Sequence, residues 1–72
     1  MSDLKQYITL VDIIAKSKLL ETVSESKGVV EGAGKIKEHA IGAVEDLGYT
    51  EEKINSDVTV LYELFLSRMM AK

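Results

Sequence analysis

Apolar side chains recur along this chain at steps of three and four, the period of a helix that buries one stripe and leaves the rest in water. From Leu4 the stripe runs through Tyr7, Ile8, Val11, Ile14, Ala15 and Leu19, while Lys5, Asp12, Lys16 and Glu21 keep the remainder wet. This spacing predicts a first helix over 3–23. Leu10 widens the stripe, and Ile13 and Leu20 stand almost opposite it. Ile8, Thr9, Val11, Ile13 and Ile14 are β-branched, so intrinsic propensity is mediocre and packing must hold the helix. Ser2 or Asp3 is the expected N-cap, and Asp3 also puts negative charge where the helix dipole favours it. A strand is the competing reading for Tyr7–Ile14, but the charges that follow fit a period of 3.6 better than one of 2.

Ser24-Glu25-Ser26-Lys27-Gly28 is a polar break, with Gly28 expected as a C-cap and turn. Beyond it Val29, Ala33, Ile36, Ala40, Ala43, Val44 and Leu47 line one narrow face, which predicts a second helix over 29–47. Gly32, Gly34 and Gly42 interrupt that helix, each at a cost of about 0.5–1 kcal/mol relative to Ala. Close backbone contact, mobility, or a break at Gly32-Ala33-Gly34 would account for them.

The third segment opens on the clearest local signal. Gly48 suits the left-handed position that ends a helix, and Thr50 suits the N-cap of the next. Lys53 stands where a capping box would carry Glu, so that box is incomplete. Glu51 and Glu52 complement the positive end of the dipole, and Arg68 and Lys72 the negative end. A third helix over 50–71 would carry Ile54, Val58, Leu61, Tyr62, Phe65 and Met69 on one face. Val60 and Leu64 fall on a second flank, and Leu66 and Met70 on a third. The expected architecture is a single all-α domain over 1–72, a compact three-helix bundle whose short loops make sequential helices antiparallel neighbours.

Composition sharpens this picture. At 72 residues a chain buries only about 60 % of its unfolded surface, and small domains compensate with disulfides, metals or association. There is no Cys and one His, which removes disulfides and thiolate metal sites and leaves association. Zero Pro and few aromatic residues favour helices over a β-sandwich. The net charge of −3 falls in the second part of the chain and gives no general pull toward nucleic acid or anionic membranes. No signal peptide or membrane span is evident at the sequence level, so a cytoplasmic protein is expected.

Candidate chemistry is thin. Gly34-Lys35 resembles the end of a phosphate loop only superficially: Val29 replaces its first Gly and Ile36 its hydroxyl residue. His39 has Asp46 on its face two turns away but no nucleophile or second ligand at helical spacing. Glu45, Asp46, Glu51 and Glu52 lack the order of a calcium loop and suit a solvated turn. Val44, Gly48 and Ile54 sit near the spacing of a helix-turn-helix, with Lys53, Asn55 and Ser56 as base-reading candidates. Glu51, Glu52 and Asp57 would then face phosphates. The first helix has acids to match its lysines, so it is no membrane-surface helix.

What remains is surplus apolar surface on the first and third helices. The expectation is a non-enzymatic protein–protein interaction module, a self-associating accessory subunit or regulator of a larger assembly. A homodimer through those helices is favoured, with Ile13, Leu20, Val60, Leu64, Leu66, Met69 and Met70 as interface residues. No catalytic, cofactor-binding or metal-binding residues are assigned. A small helix-turn-helix-like DNA-binding regulator is the alternative.

Overall fold

Nothing between Asp3 and Val23 stops a helix: the run has no Gly and no Pro, and it forms the 21-residue α1. The computed structural model describes residues 3–71, so Ser2, one of the two expected caps, and Lys72 lie outside the described residues. Two further helices follow, α2 (Lys27–Asp46) and α3 (Glu51–Met70), and no strand occurs among the described residues. Tyr7–Ile14 is helical throughout, and Asp3 lies in the first turn of α1.

The α1–α2 junction differs from expectation in its chemistry. Ser26 has extended backbone (φ −85°, ψ 119°), and its Oγ accepts the Val29 N–H at 3.3 Å. Its own N–H donates to Ser24 Oγ at 3.1 Å. A serine cap that satisfies an orphan amide therefore starts α2 at Lys27, and Gly28 belongs to its first turn rather than ending α1. Nor does α2 break at Gly32-Ala33-Gly34. Ala33 is buried against α1, and a Cβ added at Gly34 would stand 3.0 Å from Glu21 Oε2, so close approach to α1 explains this one glycine. Open space surrounds the corresponding positions of Gly32 and Gly42.

The second junction follows its sequence signals. Gly48 adopts φ +97°, a conformation costly for any residue with a Cβ, and its N–H donates to Glu45 O at 2.9 Å. Two residues on, Thr50 Oγ1 accepts the Lys53 N–H at 3.2 Å and caps α3.

Tyr7, Val11, Ile14 and Ala15 of α1 form the core with Ala40 and Val44 of α2 and Ile54 and Val58 of α3. α2 and α3 each lie along α1 and barely touch one another. α1 is thus buried over a broad arc, and Ala15 is fully enclosed. The line of α2 that meets α1 runs through Ala33, Lys37, Ala40, Val44 and Leu47, which displaces Val29 and Ile36 from the expected inner stripe to an exposed flank. On α1 the arc shifts toward Leu10 and Ser17, leaving Leu4 and Ile8 exposed. Burial along α3 fades from Ile54 and Val58, through half-buried Leu61 and Phe65, to exposed Met69.

The glycines give a graded test by urea denaturation. Gly42→Ala is expected to raise stability by about 0.5–1 kcal/mol, and Gly34→Ala to gain less because its methyl must displace the Glu21 carboxylate. Gly48→Ala is expected to lower stability by about 1–2 kcal/mol.

Candidate protein-interaction surface

Polar side chains fix how α2 and α3 sit on α1, and so decide which apolar residues remain outside. Near the start of α1, the Tyr7 and Tyr49 rings stack with centroids 4.0 Å apart. Tyr7 Oη donates a hydrogen bond to Asp57 Oδ2, which also receives Lys53 Nζ at 3.2 Å, and that ammonium lies 5.4 Å from the Tyr7 ring centroid. Further along, Tyr62 Oη donates to Thr22 Oγ1 at 3.0 Å beneath Lys18, whose Nζ is 4.9 Å from the Tyr62 ring centroid. On the α2 side, Lys37 Nζ meets Glu21 Oε1 at 2.7 Å. That pair is partly sheltered, which makes it a stronger tie than the more open Lys16–Asp12 pair.

The Tyr7–Asp57 pair titrates abnormally. The Tyr7 hydrogen bond holds the Asp57 carboxyl below its usual range; burial opposes the shift and Lys53 reinforces it. Burial, followed by the neighbouring carboxylate, pushes the Tyr7 phenol well above its ordinary value. Both shifts favour the folded chain near neutrality, where carboxylate and phenol are both in the state the contact needs.

The seven candidate interface residues do not form one surface. Lys18 and Thr22 mark the side of α1 that meets α3, and Leu20 lies about 160–200° around the helix from them. Ile13 shares that far side but is half-buried, packed against the core. Val60 and Leu64 are exposed on one flank of α3. Half-buried Leu66 and exposed Met70 occupy another flank, where with Glu63, Ser67 and Ala71 they line a shallow open furrow. Four of the five furrow residues belong to α3 and the fifth, Ala71, caps it, so the furrow is not a cleft between elements. Met69 is exposed at the end of the inner stripe. Val29 and Ile36, expected inside from their spacing, are exposed. The seven-residue spacing of Ala33, Ala40 and Leu47 was the available signal that the contact line lay elsewhere.

The tested chemical constellations stay apart. Gly32, Gly34 and Lys35 lie within regular helix, so their backbone amides are committed to helical hydrogen bonds. His39 is exposed, as are Glu45, Asp46, Glu51 and Glu52 around the α2–α3 turn. Among the described residues, no group of three or more His, Cys, Asp or Glu is placed to hold a metal ion. Also among them, no helix is long and apolar enough to cross a membrane. At the start of α3 Asn55 and Ser56 are exposed beside the two glutamates, while Lys53 is held by Asp57. Comparisons with protein-family models, curated proteins and solved structures found no match to this chain.

The Tyr7–Asp57 contact yields a pH-resolved test. At pH 7 Tyr7→Phe is expected to cost about 1–2 kcal/mol, since Asp57 keeps part of its hydration. The gap from wild type should narrow as acid protonates Asp57, and again above about pH 10, where an unfolded tyrosine ionises. Denaturation midpoints across pH check both limbs.

Proposed function

We propose that this chain is a non-enzymatic protein–protein interaction domain, a small self-associating subunit or regulator that docks on a larger protein assembly. The observation that carries the reading is the exposure of large apolar side chains on α1 and α3. Leu20, Val60, Leu64 and Met69 are each 43–62 % exposed, and Met70 is 76 % exposed. Isolated exposed leucines are ordinary on any protein. Here, however, ten large apolar residues are exposed among the described residues of a 72-residue chain, and all three helices contribute. Covering such side chains recovers about 25 cal/mol per Å² of apolar area removed from water. Met69 and Met70 add pliable contacts that adjust to a partner's shape.

The separation of the candidate residues shapes the reading. Leu20 and the α3 group lie on different sides, so a single symmetric contact does not use all of them. One surface joins copies of the chain, and the other is free for the larger assembly. Exposed Glu51 and Glu52 at the start of α3 weigh against a duplex-DNA partner at the same turn.

Sedimentation velocity from low to high micromolar concentration tests the reading. The expected result is a reversible species heavier than the 7.9 kDa monomer, whose fraction grows with concentration. A pure monomer across that range would remove self-association from the proposal, and salt-sensitive binding to duplex DNA would replace it with a nucleic-acid role.

A further inference from the structure

Two contacts fix the orientation of the α1–α2 hairpin. Lys18 and Thr22 meet Tyr62, so that arc of α1 faces α3, and Leu20 and Ile13 point the other way. Glu21 meets Lys37 directly across the α1–α2 contact. Stepping back one residue from each member of a facing pair in antiparallel helices turns both side chains to the same side of the hairpin. Leu20 and Ile36 therefore project together, away from α3. Val29 and Ala43 continue the Ile36 stripe at seven-residue steps, and Gly32 lies between them. Leu20 is 45 % exposed and Ile36 53 %, Val29 and Gly32 are also exposed, and none of these positions carries charge in a chain that is 29 % charged.

We infer that this side of the α1–α2 hairpin, turned away from α3, is where two copies of the chain meet. The inference rests on the self-association proposed above and names its surface. Size supports a second copy as the occupant. Two helices about 30 Å long and 8–10 Å apart present about 600 Å² per protomer, or roughly 1,200 Å² buried in a pair, the lower end of stable specific interfaces. Shape supports it as well. The face holds both protrusions (Leu20, Ile36) and hollows, since Ala43 is small and Gly32 has open space where a Cβ would stand. A twofold rotation sets this face of one copy against the same face of the other, so one surface carrying both kinds of feature supplies each side of the contact. Charge points the same way. A chain of net charge −3 repels its copy where acids cluster, at Glu45, Asp46, Glu51 and Glu52, whereas this uncharged face meets itself without that opposition. The pair is then two hairpins face to face, with each α3 on the outside.

Leu20→Glu, Ile36→Glu and Ile36→Ser, with Val60→Glu on α3 as the comparison, test this by sedimentation velocity of the full chain, with circular dichroism reporting helix content. Leu20, Ile36 and Val60 are all exposed, so wild-type helix content is expected in each variant. The two Glu variants at Leu20 and Ile36 should each weaken dimerisation about tenfold or more, and Ile36→Ser less, whereas Val60→Glu should leave it unchanged. A dimer that survives the Leu20 and Ile36 changes but is lost in Val60→Glu would overturn this face and leave self-association standing. A wild-type chain that is monomeric throughout would remove both.

Discussion

α1 is the one helix held on two sides, and the rest of the structure depends on that arrangement. α2 and α3 scarcely touch, so neither has a core without α1, and the apolar arc of α1 must be wide enough for both. Ala15 shows how tight the fit is: its methyl is fully enclosed, and any larger side chain there would force neighbours apart. Because two partners occupy only part of the circumference of α1, a third side stays bare, and Leu20 stands on it. The surplus apolar surface is thus a geometric consequence of building a bundle from three helices with one at the centre.

The polar ties decide where that bare side lies. Tyr7, Tyr49, Lys53 and Asp57 hold the α2–α3 turn against the first half of α1. Tyr62 with Thr22, and Lys37 with Glu21, set the faces of the second half. The Tyr7–Asp57 and Lys37–Glu21 ties are part-buried and the Tyr62–Thr22 bond is exposed, so together they specify orientation more than they add stability. Their joint effect is to turn Leu20 and Ile36 outward on the side opposite α3. Polar contacts on the inner faces thereby determine the apolar character of an outer one.

The elements were legible where chemistry is local. Gly48 and Thr50 mark the second junction because a left-handed residue and an N-cap hydroxyl act within a few positions of themselves. The start of α2 was less legible, since Gly28 and Ser26 compete for the same boundary and only the bond from the Val29 amide decides it. Gly34 sits in a helix that approaches α1 closely, which propensity does not contain, whereas Gly32 faces open space. Burial was the hardest part to read. Val29 and Ile36 share a stripe with Ala33 and Ala40, yet a contact line through Lys37 and Val44 leaves them exposed. A charged residue at the centre of that line, satisfied by Glu21, is invisible until its partner is placed. The surplus of apolar surface was readable from composition and spacing; its distribution over separate sides required knowing which arcs the polar ties consume.

Backbone amide chemical shifts followed through a dilution series examine this arrangement residue by residue. The account predicts concentration-dependent shifts at Ile13, Leu20, Gly32, Ile36 and Ala43, with constant shifts at Ala15, Val44 and Ile54, which stay enclosed within each copy. Shifts that do not change with concentration, or changes confined to the C-terminal turns of α3, would contradict it.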